Sequence, residues 1–303
     1  MLSEKSMLYT VLSDGVSLIF LEKSMTRICF LVMCLFTLGI FTACSPTMRF
    51  KPGQLPVAEP PPKELKVEAE QYVRAHISEE NYQEISSGAD LERIKRIIGK
   101  VSVAAGYSAN QFPVHLVEAG EDVNAAAFNG AAIVVYRELL RRVPSDGQLA
   151  AVLGHEVGHI LAKHYKDAEE EQERAAAVGA GASILGAIAS VATSAAGFGG
   201  VSSVAGDLTE GASGALGYGA FVGAFSRTQE YEADHIGLIL MARAGFDPED
   251  AVTLWKRSEE VFGSADSTVG SFFSTHPASG DRIDKLQEAL PLAREEVNSR
   301  KKR

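Results

Sequence analysis

Two histidines four residues apart, with a glutamate beside the first, constrain this chain more than any other feature: His155-Glu156-Val157-Gly158-His159. Leu149, Val152, Leu153, Ile160 and Leu161 give the same segment an apolar helical face, so it reads as a core helix. Ser145 and Gln148 have capping-box spacing, which starts that helix at Asp146 and predicts that it runs to about Tyr165. Four residues turn an α-helix by about 400°, so both imidazoles leave one face and aim at one point. Neutral imidazoles at about 2.0–2.1 Å can share one Zn²⁺, while Glu156 reaches past the metal to a bound water. Zinc brings the pKa of such water to about 7, and a carboxylate placed there can take its proton. In a chain of this length the motif arises by chance on the order of once in a hundred.

A third protein ligand has to come from elsewhere. The metzincin continuation would need glycine and histidine where this chain has Ala162 and Tyr165, so that subclass is excluded. On a continuous helix His164 falls about 140° from the ligand face and reads as a solvated histidine. The better source is Gln229-Glu230-Tyr231-Glu232-Ala233-Asp234. Glu230 and Asp234 are i and i+4 on a predicted helix, so one carboxylate can ligate while the other orients a ligating imidazole. Glu230 is preferred over Glu232 as the ligand, and a position stays open for water or substrate.

The N-terminus reads as an address. Residues 28–43 are an uncharged apolar run behind Arg27, ending Phe41-Thr42-Ala43-Cys44, which resembles a bacterial lipobox with Phe41 where leucine is usual. The division expected is an upstream extension over 1–24, a lipoprotein signal peptide over 25–43, and a lipid anchor on Cys44 with a proline-punctuated linker over 44–64. A metallopeptidase domain over 65–290 and a charged tail over 291–303 follow. The residue after the cysteine, Ser45, sends such a lipoprotein to the outer membrane, facing the periplasm. All three cysteines lie in the first 44 residues, which excludes thiol catalysis and cysteine-bound zinc in the rest. With 29 basic against 39 acidic residues the chain carries a formal charge of −10, and no footprint for nucleic acid.

Leu91, Ile94, Ile97, Ile98 and Val101 mark a helix closed by Gly106, and Pro113–Glu118 and Ala131–Tyr136 read as strands with a turn-rich link between them. Asp247-Pro248 opens another helix, with Gly263 where it would stop. Residues 175–206 carry no charge, and Gly211–Phe225 is again glycine-rich. This stretch, 175–225, suits a packed helical hairpin better than a membrane span, because it holds few of the large apolar residues that favour insertion. His76, His115 and His235 have no constellation about them and read as structural. The expected class is α+β, mainly α, with a small sheet and an active-site helix.

HEVGH, then EYEAD, then Thr275-His276-Pro277 with Arg282-Ile283, resembles the gluzincin peptidase family M48, whose members include HtpX-type, Oma-type and BepA-type proteases and CAAX prenyl endopeptidases. The resemblance runs from about Leu91 to Ile283. It includes the family's asparagine-bearing strand segment, here Asn124-Ala125-Ala126-Ala127-Phe128-Asn129-Gly130, which departs from the family's pattern by having Asn129 in place of proline. It implies a zincin-like domain holding one Zn²⁺, with Glu230 as third ligand, Asp234 as its supporting partner and Glu156 as base. It places His276 near the zinc, either donating to the oxyanion or sitting on the metal as a removable plug, with Arg282 anchoring this loop through a carboxylate. With the secretory start, the nearest analogues are lipid-anchored periplasmic members. The function expected is cleavage of unfolded or misassembled envelope proteins, with substrate lying as an added strand along Ala131–Tyr136. The rival is an assembly factor or chaperone that uses the same zinc domain as a scaffold, and the intact Glu156 speaks against it.

Overall fold

The structure is a computed structural model that describes residues 48–128, 130–167, 170, 225–263, 272, 276 and 280–302. The signal peptide, Cys44 and, apart from Phe225, the stretch at 175–225 lie outside the described residues. Among the described residues no helix is long and apolar enough to cross a membrane.

The described residues open with α1 (Lys63–Glu79), the short β1 (Gln83–Ile85) and α2 (Ala89–Ala104). Leu91, Ile94, Ile97, Ile98 and Val101 form the buried stripe of α2, and Gly106, at φ 94°, turns the chain just beyond it. Three strands follow, β2 (Val114–Glu118), β3 (Ala125–Phe128) and β4 (Ala132–Tyr136), then the short α3 (Arg137–Arg142). The sheet order is β1-β2-β4-β3, with β2 parallel to β4 and the outer pairs antiparallel. Ile133 and Val135 of β4 enter the main helical core, while Ala132, Val134 and Tyr136 face Ala69 and Val73 of α1. The sheet is therefore covered on both faces, as a fully buried β4 requires.

Two expectations about this sheet change. The link at 119–130 holds a strand, β3, whose Ala125-Ala126-Ala127 carries no β-forming signal and is strand only through its pairing with β4. Because β4 is paired on both sides, it has no edge to offer a peptide; the open edge near the motif helix belongs to β3.

The centre of the molecule is α4 (Asp146–Leu161), capped by Ser145 accepting from the Gln148 N–H and buried from Gly147 to Leu161. It ends at Leu161 rather than near Tyr165, because Lys163 adopts φ 57° and breaks the helix before 164–167 resume it. Across it packs α5 (Arg227–Ala244), started by a Ser226–Gln229 capping box and stopped by Gly245 at φ 90°. The crossing is close: a Cβ on Gly154 would lie 3.0 Å from the Gly237 carbonyl oxygen, and one on Gly237 would lie 2.7 Å from the His155 nitrogen.

The helix expected from Asp247 to Gly263 divides at Arg257 into α6 (Glu249–Lys256) and α7 (Ser258–Phe262), with Gly263 at φ 85° after it. Last comes α8 (Gly280–Lys301), which runs through Pro291 and takes residues 291–301 along as helix, with Ala293 fully buried.

Candidate metal centre

The close crossing of α4 and α5 sets the site. His155 and His159 leave α4 on the side facing α5, where Glu230 and Asp234 stand one turn apart. His155 Nε2 lies 3.0 Å from His159 Nε2, and Glu230 lies 3.4 Å from His159 Nε2 and 3.6 Å from His155 Nε2. Metal–ligand distances of about 2.0–2.2 Å give a tetrahedron edges of about 3.3–3.6 Å; both Glu230 distances match these edges, and the imidazole pair at 3.0 Å is slightly closer. His155, His159, Glu230 and His276 offer ligand atoms within 4.8 Å of one another, all buried.

The surroundings turn the right atoms inward. His155 Nδ1 lies 2.8 Å from Asp234 Oδ1, and a carboxylate can only accept, so His155 carries its proton there and points the Nε2 lone pair at the centre. Asp234 is gripped on both oxygens by Arg282, whose Nε and Nη2 donate at 2.7 and 2.8 Å. Arg282 Nη1 also lies 2.6 Å from Glu230 Oε2, without the alignment of a hydrogen bond, and its guanidinium sits 3.8 Å over the Trp255 ring. Only 2% exposed, it is the cation that balances two buried carboxylates. Burial alone would raise the Glu230 carboxyl, but His276 and Arg282 hold it well below the usual carboxylate range. Burial holds the His159 imidazole well below its usual value, hence neutral. Arg282, expected to anchor the His276 loop through a carboxylate, pairs with both carboxylates of α5, and one of these, Glu230, lies 3.1 Å from His276 Nδ1.

Glu156 sets one carboxylate oxygen against the sheet and the other toward His276. Its Oε2 accepts from the Ala127 N–H of β3 at 2.8 Å, while Oε1, fully buried, has no hydrogen-bond partner among the described residues. Burial raises the carboxyl above its usual value.

His276 comes into the same centre. Its Nδ1 lies 3.1 Å from both His155 Nε2 and Glu230 Oε1, and its Nε2 lies 3.4 Å from Glu156 Oε1. It stands where a fourth ligand would stand, between the other donors and Glu156. It is held by stacking on Phe272 at 4.6 Å and by its backbone N–H donating to the Phe272 carbonyl at 2.8 Å. Thr275 and Pro277 lie outside the described residues.

His164 is not solvated. The break at Lys163 swings it inward, fully buried, with Nδ1 2.9 Å from His159 Nδ1 and Nε2 2.9 Å from Glu232 Oε2. Glu232 therefore faces away from the ligand cluster and binds His164. Phe225, given no role in the sequence reading, stacks on His159 at 3.9 Å. His76 and His115 take structural places, on the Tyr136 hydroxyl and on Glu84 and Glu70.

Comparison with known proteins gives this arrangement a family. The model for peptidase family M48 matches residues 89–290. The mitochondrial metalloendopeptidase OMA1 of Schizosaccharomyces pombe is 32% identical over 200 residues, 66% of this chain and 53% of that protein. The beta-barrel assembly-enhancing protease of Yersinia pestis is 36% identical over 153 residues, 48% of this chain and 28% of that protein. Its namesake in Escherichia coli K12 is 34% identical over 170 residues, 54% of this chain and 31% of that protein. The chain thus spans about half or less of the length of these relatives. It belongs to peptidase family M48.

Proposed function

We propose that this member of family M48 is a zinc-dependent endopeptidase of the bacterial envelope, with His155, His159 and Glu230 holding one zinc ion and Glu156 as the general base. The observation that carries the reading is Glu156: one oxygen is fixed by the Ala127 amide, and the other is buried, without a hydrogen-bond partner among the described residues, and turned toward His276 in the cluster at 3.4 Å. A buried acceptor left without a partner costs about 1–3 kcal/mol, which a purely structural metal site has no reason to bear. Zinc, when bound, supplies Lewis-acid polarisation of a peptide carbonyl and acidifies water. Glu156 takes the proton at Oε1, and its raised carboxyl pKa suits it to return that proton to the leaving amine. The β3 edge lies beside it, and on an edge strand alternate residues turn their backbone groups outward. Ala125 and Ala127 are those residues; with the Ala127 N–H held by Glu156, an extended substrate is taken to pair with the remaining outward groups, the N–H and C=O of Ala125 and the C=O of Ala127. Its arrival has to displace His276, which stands between Glu156 and the ligands; this favours the removable plug over an oxyanion donor.

The placement is supported by the lipobox-like Cys44 and by the likeness to two proteins named as beta-barrel assembly-enhancing proteases. The substrates proposed are unfolded or misassembled outer-membrane and periplasmic proteins, met at an outer-membrane surface to which Cys44 fixes the chain. The test is purified full chain in detergent with an unfolded protein substrate, with and without chelator, beside Glu156→Gln. We expect cleavage that a chelator abolishes and zinc restores, and a zinc-loaded Glu156→Gln slowed by about 10²–10⁴-fold. Equal rates for wild type and a zinc-loaded Glu156→Gln would refute the reading.

A further inference from the structure

His155 is oriented from inside the domain by Asp234, while His159 is held from behind by a different chain of hydrogen bonds. His159 Nδ1 meets His164 Nδ1 at 2.9 Å, and His164 Nε2 meets Glu232 Oε2 at 2.9 Å. Glu232 Oε1 accepts from the Phe50 N–H at 3.0 Å. Phe50 belongs to a strap that Arg49 fastens to the end of α4, donating to the Ala162 carbonyl at 2.7 Å and pairing with Asp167 at 2.6 Å. His164 is 0% exposed and Glu232 2%, so water does not compete along the line.

The chain of bonds has one polarity. A carboxylate accepts only, so the bond to Glu232 puts the His164 proton on Nε2. His164 Nδ1 is then a lone pair, and it can accept only if His159 carries its proton on Nδ1. That leaves His159 Nε2 unprotonated and facing His155 and Glu230, the state a metal requires. Two residues that never reach the cluster thereby set the tautomer of a residue within it.

We infer that His164 and Glu232 are positioning residues for His159, with the strap amide of Phe50 holding the far end of the relay. This rests on the metal-site reading above. Glu232→Gln is the sharpest probe, because it keeps size and reverses the polarity. If the new amide oxygen accepts from Phe50, its NH₂ faces His164 Nε2. The His164 proton must then move to Nδ1, and His159 must carry its own on Nε2, against the metal. His164→Leu removes the acceptor altogether. In His164→Gln the amide oxygen and nitrogen stand about as far apart as the two ring nitrogens, so acceptor and donor are both restored.

The experiment measures zinc dissociation constants by chelator competition on the full chain in detergent, with folding followed separately by circular dichroism and the absorption of the cobalt-substituted protein as a second readout. We expect Glu232→Gln and His164→Leu to bind zinc about 10–100-fold more weakly, with altered cobalt bands, and His164→Gln to recover most of that loss. Wild-type affinity in either folded variant, Glu232→Gln or His164→Leu, would overturn the relay. So would a His164→Gln no better than His164→Leu, since the loss would then be one of packing. If one variant does not fold, the other decides. A wild-type chain that binds no zinc would instead overturn the metal-site reading itself.

Discussion

Gly158, inside the HExxH motif, faces Ala233 of α5 so closely that a Cβ on Gly158 would lie 2.7 Å from the Ala233 carbonyl oxygen and 3.0 Å from its Cα. The glycine therefore sets the distance between the helix that carries both imidazoles and the helix that carries Glu230. Gly158→Ala is expected to push the helices apart by tenths of an ångström, cost about 1–3 kcal/mol of stability through overpacking, and lower the bound metal. Thermal melting with elemental analysis checks both effects. A variant as stable and as metal-loaded as wild type would show that the backbone gives way more easily than its packing implies.

Arg282 is the only arginine or lysine that reaches Asp234 and Glu230 among the described residues, and it does so from a buried position. Arg282→Met keeps much of the volume over Trp255 but leaves two buried carboxylates without their counter-ion. Breaking a buried pair in this way costs about 3–5 kcal/mol. Loss should appear as a lower midpoint in urea. Added metal should recover part of it, because an ion supplies charge to the same two carboxylates.

His276 stands between Glu156 and the ligand cluster, and the two roles considered for it predict opposite signs. A plug lowers the basal rate, so His276→Ala should cleave an unfolded substrate faster than wild type. Loss of a transition-state donor would instead slow cleavage by about 10²–10³-fold. We expect the faster enzyme. The comparison is made at matched zinc occupancy, so that a change in metal content does not pass for a change in rate.

The helical motif and its partners were legible in the sequence because periodicity carried them: His155 and His159 share a face by spacing alone, as do Glu230 and Asp234. The matched apolar stripe of α2 and the cap at Ser145 were legible for the same reason. His164 was not, because its inward turn depends on Lys163 at φ 57°, and lysine gives no signal for a left-handed residue. Strand β3 was implied by the family resemblance but not by residue patterning, since its three alanines pair only because β4 lies beside them. The partition of roles between Glu230 and Glu232 followed the i, i+4 rule, but that Glu232 has its own task shows only when His164 and Phe50 are brought to it.

Away from the metal centre, His76 makes the fold sensitive to mild acid. It projects from α1 toward the sheet, 4% exposed, its Nε2 2.7 Å from the Tyr136 hydroxyl, with Tyr82 edge-on at 5.4 Å and Phe128 at 5.6 Å. Burial lowers its pKa from 6.5 to about 4. Below pH 6.5 the unfolded chain takes up a proton that the native state refuses until about pH 4. The stabilising contribution of neutral His76 is therefore whole above pH 6.5 and declines as the pH falls toward 4. The full decline is at most about 3 kcal/mol, spread at about 1.4 kcal/mol per pH unit. His76→Gln keeps an amide to meet the Tyr136 hydroxyl but cannot titrate in this range. Urea unfolding at pH 7 and pH 5 should show a smaller loss of stability on acidification in His76→Gln than in wild type, by about 1–2 kcal/mol. Equal losses in the two proteins would mean that His76 accepts its proton without leaving the interior, and that the acid response arises elsewhere.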